Sequence, residues 1–147
     1  MIKTDKKDFH LAISVKASPE DALKKIGQVK KWWAKKLSGK SGKLKDKFTV
    51  DFGETFVTFE VSELIPGKKV AWKVLDCNLH WIKNHKEWNN SEVVFEVSAG
   101  KDSTKIDFTH AGMWPEWECY EDCRQGWTDH VGRSLVSFID KGQGDPV

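Results

Sequence analysis

The chain has no run approaching the roughly 18 apolar residues that a bilayer crossing requires, and its opening, MIKTDKKDF, lacks the apolar stretch of a secretion signal. The expectation is a cytoplasmic protein with no stable membrane insertion. Cysteine is scarce: Cys77, Cys119 and Cys123 are too few and too unevenly spread for a disulfide framework, and in that compartment they count as thiols. Tyrosine is rarer still, with one against eight Trp and eight Phe, so the aromatic excess needs an explanation. No CxxC or HExxH spacing and no GxSxG is present, which removes the usual signs of a zinc centre and of an activated serine. There is no internal repeat, no low-complexity tract and no sign of a second domain. A length of 147 residues suits one domain, which at this size buries roughly 70% of its unfolded surface.

The formal net charge of +2 hides an asymmetry. Residues 1–50 hold fourteen Lys against five acids, and the remainder is net acidic, so one end of the fold is predicted to be basic.

Hydrophobic periodicity lays out the elements. Phe9, Leu11, Ile13 and Val15 alternate with polar neighbours as a strand buried on one face does. Ser18 then caps a helix with Pro19 in its first turn, Asp21 completing a capping-box pattern, and Ala22, Leu23 and Ile26 as the buried stripe. A second short helix is expected to carry Val29, Trp33 and Leu37 inward and to end in the Ser38–Gly42 stretch. Strands follow: Phe48, Val50 and Phe52 on one face, a reversal at Gly53-Glu54, then Val57, Phe59 and Val61. After Pro66-Gly67 come Val70, Trp72 and Val74, then Val93, Phe95 and Val97, then Ile106, Phe108 and His110. Residues 77–90 show no clean period and read as an irregular edge strand or a lid. The last segment, from about Pro115 to Lys141, places Tyr120, Cys123, Trp127, Val131, Leu135 and Phe138 in one helical sector. Gly126 and Gly132 inside it predict either a bend or a close approach by another element.

The fold class is therefore α+β: a curved antiparallel sheet of six or seven strands, two short helices and a long carboxy-terminal helix covering the greasy face. The blocks FHLAISVKASPEDALKKI, TFVTFEVSELIPGKKVAWKV and EVVFEVSAGKDSTKIDFTHAGM, with the tail CYEDCRQGWTDHVGRSLVSFIDKGQGDP, resemble the START-like (SRPBCC) superfamily. The likeness is to its helix-grip, birch-pollen-allergen-like fold, and in particular to the bacterial branch similar to the activator of heat-shock protein 90 ATPase. It covers nearly the whole chain. It implies a hydrophobic cavity between sheet and terminal helix; relatives bind lipids, sterols, plant hormones or polyketides, and some are cyclases or chaperone partners.

The candidate ligand residues are Phe48, Phe59, Trp72, Phe95 and Phe108 on the inner face, opposite Tyr120, Cys123 and Trp127, with Trp33 near one mouth. They suit either a pocket for a flat or oily ligand or a solidly filled core. His110 continues the inward phase of Ile106 and Phe108, so it meets a ligand's polar head or is a structural histidine bonded to a backbone carbonyl or to Tyr120. Cys77, His80, His85, Cys119, Cys123 and His130 are the possible metal ligands, but His130 lies about 10.5 Å along the axis from Cys123, and no metal or cofactor is expected. Ten Lys between Lys24 and Lys47 surround Trp32-Trp33. Without Arg in the run, a solvated basic rim is expected rather than a surface for nucleic acid or an anionic membrane, and a basic mouth that steers carboxylate ligands such as fatty acids inward is the further hypothesis. Glu63, Asp76 and Glu116 are the only carboxylates near the inner face, and no catalytic residue is assigned. The reading is a binder of a small apolar or amphipathic ligand; a cyclase or dehydrase using the same cavity and a chaperone-modulating interaction module are the alternatives.

Overall fold

The computed structural model describes residues 8–147. The opening segment on which the reading of an absent signal rests, with three of the fourteen amino-terminal lysines, lies outside the described residues. The element order is β1 (Phe9–Val15), α1 (Pro19–Ile26), α2 (Val29–Trp32), β2 (Lys36–Gly39), β3 (Lys47–Asp51), β4 (Phe56–Ile65), β5 (Lys69–Asn78), β6 (Glu92–Ala99), β7 (Thr104–Ala111) and a terminal helix. The seven strands form one antiparallel sheet in the order β1-β7-β6-β5-β4-β3-β2. This is the α+β helix-grip architecture. Register shifts between Thr58 and Phe59 and between Val61 and Glu63 mark where β4 bends, as bulges do in a curved sheet.

Local chemistry explains most boundaries. Ser18 Oγ accepts the Asp21 N–H at 3.2 Å and Pro19 opens α1, so Ser18 caps the helix as the sequence predicts. The reversal at Gly53-Glu54 is closed by the Phe52 N–H donating to Thr55 O, with Gly53 at φ +93°. Phe52, expected beside Phe48 and Val50, sits beyond the end of β3 in this turn and is 36% exposed.

Three expectations are corrected. The second helix stops at Trp32, and Leu37 belongs to β2, where it pairs with Val50 as Lys36–Gly39 extend the sheet along β3. The terminal helix opens at Tyr120 rather than Pro115. Pro115 occupies a turn closed by the Trp117 N–H on Trp114 O (2.9 Å), a position that its fixed φ suits. The unplaced stretch after Cys77 divides in two: β5 runs on to Asn78, and residues 79–90 fold as successive turns that bury Leu79, Ile82 and Trp88.

The terminal helix comprises α3 (Tyr120–Asp129), a π-helical turn over His130–Leu135 and α4 (Val136–Lys141), ended by Gly142 at φ +74°. The π turn contains Gly132, where the sequence predicts irregularity, but Leu11 would lie an ordinary 3.8 Å from an added Cβ. The widened turn is the irregularity there, not a close approach. Its stripe is buried through Cys123, Trp127, Val131, Leu135 and Phe138, with Tyr120 half-buried.

Beyond Gly142 the tail crosses α2. Gly144 passes so close that a Cβ there would run into the Lys31 carbonyl. Ser134 Oγ, fully buried, donates to Trp32 O at 2.6 Å and accepts the Asp145 N–H at 2.8 Å, while Arg133 bridges Asp129 and Asp145. Val147 is pinned through its own N–H to Trp33 O and through the Lys35 N–H to its carbonyl, both at 2.9 Å.

Candidate functional site

The residues predicted to line one cavity divide into two groups. Phe48, Phe59, Trp72, Phe95 and Phe108 are at most 1% exposed and pack on one another, with ring centroids 5.0–5.6 Å apart from Phe48–Phe59 through Trp72 to Phe95 and Phe108. Side chains of this size, meeting in stacked, tilted and edge-to-face pairs at these spacings, fill the concavity of the sheet. Their place is a solid core.

The open space lies at one end of that core. A hollow of about 320 Å³ is bounded by Trp33 from the end of α2, by Phe52, Thr55 and Val57 from the β3–β4 hairpin, and by Leu79, Trp81 and Trp88 from the 79–90 turns. Asp122, Cys123, Gly126, Trp127 and His130 on the helix, with Val147 of the tail, complete it. Trp33, Cys123 and Trp127 are thus the predicted ligand residues that reach it. Tyr120 and His110 do not.

His110 is buried completely and both ring nitrogens are engaged. The Trp127 indole N–H donates to Nδ1 at 3.1 Å. An indole nitrogen only donates, so Nδ1 is the bare nitrogen and Nε2 carries the proton. That proton goes to Ser91 Oγ at 2.8 Å, and the Ser91 hydroxyl donates in turn to Trp88 O at 2.6 Å. Burial pushes the imidazole down to about 3, so it stays neutral. His110 is the structural histidine of the two readings, with Trp127 and Ser91 in place of the anticipated carbonyl or Tyr120. Its effect on the hollow is indirect: it fixes Trp127 and, through Ser91, the backbone of Trp88.

The 79–90 turns are fastened to the start of the terminal helix by carboxylates. Glu118 accepts the N–H groups of Lys83 (2.8 Å) and Asn84 (3.1 Å), which holds its carboxyl below the ordinary range. Glu87 answers from the other side, taking the N–H groups of Glu118 and Cys119 at 2.8 and 2.9 Å. Those are unpaired donors just ahead of α3, where a carboxylate is favoured. Trp81, 44% exposed, donates its indole N–H to Asp122 at 3.0 Å and so stands over the helix as one wall of the hollow. The run CNLHWIKNHKEWNN has no period to betray this, but its Trp81, Glu87 and Trp88 were available as signals.

The remaining candidates fall elsewhere. Cys119 and Cys123 are joined in a disulfide rather than standing as thiols, their Cα atoms 5.7 Å apart across one helical turn, within the span a disulfide bridges. Cys77 is free and buried, and burial pushes its thiol up. His80 is taken up by Thr55 and Glu54. Among the described residues no three His, Cys, Asp or Glu side chains converge as a metal site. Glu63 and Asp76 are paired with Lys69 and Lys86, and Glu116 is exposed, so none of the three faces the hollow. Trp32, buried completely, offers no ring to a partner. No Lys or Arg is among the walls of the hollow.

A second hollow, of about 510 Å³, lies between α1 and the β4–β5 turn, over Leu23, Val61, Leu64 and Val70 and rimmed by Glu20, Lys24, Gln28 and Ser41. It is the larger of the two, yet it has no aromatic wall and lies away from the terminal helix. We take the aromatic hollow as the candidate site because rings border it on several sides and it adjoins the terminal helix.

No family model matches the sequence, and no curated protein does. Solved structures do. Aha1 from Colwellia psychrerythraea, solved as a dimer, is 25% identical, with a TM-score of 0.77, over 94% of this chain and 99% of that one. CalU16 from Micromonospora echinospora is 14% identical, with a TM-score of 0.68, over 94% of this chain and 76% of the other. DynU16, from the dynemicin biosynthetic locus, is 20% identical at a TM-score of 0.67; the match spans 93% of this chain but about half, 48%, of DynU16. The chain carries the START-like (SRPBCC) helix-grip fold and has an Aha1-like relative of similar length.

Proposed function

We propose that this chain is a single-domain binding protein that holds a small, largely apolar ligand in the hollow between the β3–β4 hairpin, the 79–90 turns and the first half of the terminal helix. The observation that carries the reading is the contrast in one aromatic set: five rings close on each other, while Trp33, Trp81, Trp88 and Trp127 border about 320 Å³ of open space. Rings held this way supply apolar area at about 25 cal/mol per Å² buried, with little side-chain entropy left to lose. The neutral His110 relay serves by positioning two of those indoles. A cyclase-type role through His110 finds no support, since both of its nitrogens are committed inside the core.

Native mass spectrometry of freshly purified protein tests the reading, in parallel with Gly126→Leu. Gly126 borders the hollow, and an added Cβ there would meet nothing nearer than the His130 ring at 4.0 Å, so a leucine would project into the space. A co-purified small molecule present in the natural chain and absent from the variant supports binding there. If both release the same molecule, the hollow is not the site.

The chaperone-partner alternative draws on the Aha1 likeness and on one surface feature. The ten lysines from Lys24 to Lys47 form no ion pair among the described residues, so their charges are available to an acidic protein partner. Reversing Lys30, Lys31 and Lys35 to Glu would abolish capture of such a partner and leave ligand binding in the hollow intact. Capture that survives the reversal contradicts this reading.

A further inference from the structure

We propose that the hollow is an aromatic cage for an alkylated ammonium group, so that its ligand is a small organic cation rather than a neutral oil or a carboxylate. The proposal rests on reading the hollow as a ligand site and adds the sign of the ligand's charge. Five of the side chains around the space are rings: Trp33, Phe52, Trp81, Trp88 and Trp127. Aromatic rings are electron-rich over their faces, indole most of all, and several rings bordering one volume, Trp88 and Trp127 among them as a stacked pair with centroids 5.7 Å apart, attract a diffuse positive charge. Asp122 is the one acidic group among the walls, and no Lys or Arg joins it there.

The Asp122 carboxylate is not neutralised. Its sole partner among the described residues is the Trp81 indole N–H, and no cation lies within ion-pair distance. Burial also holds the His130 imidazole toward its neutral form, so that wall adds no opposing charge near neutrality. A primary ammonium would bring three N–H donors that rings satisfy poorly. An alkylated nitrogen carries its charge on methyl or methylene groups that pack against indole and need no hydrogen bond.

An isosteric pair separates charge from shape. Binding of meta-trimethylammoniophenol and of meta-tert-butylphenol to the full chain is measured by isothermal titration, with the indole N–H resonances reporting location. The cation should bind about tenfold more tightly than its neutral twin. In Asp122→Asn, which keeps an oxygen for the Trp81 N–H, that preference should fall severalfold while the neutral phenol is unaffected. Trp81→Ala, at an exposed position outside the core, should weaken the cation more than the neutral probe. Equal or tighter binding of the neutral phenol overturns the cage and leaves the apolar binding site standing. If neither probe moves the Trp33, Trp81, Trp88 or Trp127 resonances, both the cage and the binding site fall.

Discussion

The molecule contains two five-ring aromatic assemblies of opposite outcome, an inner one of four Phe and one Trp and an outer one of four Trp and one Phe. In the interior, Phe48, Phe59, Trp72, Phe95 and Phe108 meet ring to ring and leave no exposed face. At the end of the sheet, Trp33, Phe52, Trp81, Trp88 and Trp127 stand around a space. The difference is one of support. The inner rings come from neighbouring strands in register, Phe48 opposite Phe59 and Phe95 opposite Phe108, so they are brought into contact by the sheet itself. The outer rings come from a helix end, a hairpin turn, an irregular segment and the terminal helix; Trp33 and Trp127 also pack on each other and on the core, and polar anchors hold Trp127, Trp81 and the 79–90 turns. The anchors are the His110–Ser91 relay, the Glu118 and Glu87 clasps and the Trp81–Asp122 bond. Ring chemistry sets affinity for apolar matter; backbone placement decides whether the protein or a ligand supplies it.

The sharpest separation of the two regions comes from Phe95→Ala. It would remove a ring packed against Trp32, Trp72 and Phe108, costing about 3–5 kcal/mol in chemical denaturation. A loss near 1 kcal/mol or less would mean the core is not filled as described.

Next in size is His110, which links the regions. In His110→Leu the Trp127 N–H and Ser91 lose their partner, for a cost of about 2–3 kcal/mol. The pH dependence has a definite sign. The folded imidazole is depressed to about 3, so the unfolded chain takes up a proton below about 6.5 while the folded chain does not. The His110 contribution is complete above about pH 6.5 and is lost as pH falls toward 3, at roughly 1.4 kcal/mol per pH unit. Between about pH 6.5 and 5, before the carboxylates titrate, His110→Leu should flatten the stability profile; an unchanged slope contradicts the buried neutral imidazole.

The sequence made the strands, the Ser18 cap, the buried stripe of the terminal helix and the inward phase of His110 legible, because each depends on neighbours within a turn or on a period of two. It could not separate core from hollow. That distinction depends on where residues 79–90 fold back, and on Glu87 meeting the N–H groups of Glu118 and Cys119 from 31 and 32 residues away. The extension of the second helix to Leu37 failed for a related reason: an apolar residue at helical spacing also suits an edge strand, and pairing with Val50 decides the matter. Pro115 does not mark the helix start because proline serves a turn as readily as a first helical turn.

The smallest effect is expected inside the core. Trp72 Nε1 is buried without a partner, so Trp72→Phe would remove an unsatisfied donor at the cost of a small void. The net change should lie within about 1 kcal/mol, well below the cost of Trp127→Phe, whose lost N–H serves His110. Equal losses at the two positions would erase the distinction between a packed indole and an anchored one.

The central claim is that open aromatic space exists at the Trp33–Trp81–Trp88–Trp127 end and not within the sheet's concavity. Titrating meta-tert-butylphenol into ¹⁵N-labelled protein while following the indole N–H resonances addresses it directly. The predicted result is a saturable shift of the Trp33, Trp81, Trp88 and Trp127 signals, with Trp32 and Trp72 unmoved. Shifts led by Trp72, or no saturable shift at any indole, would contradict it.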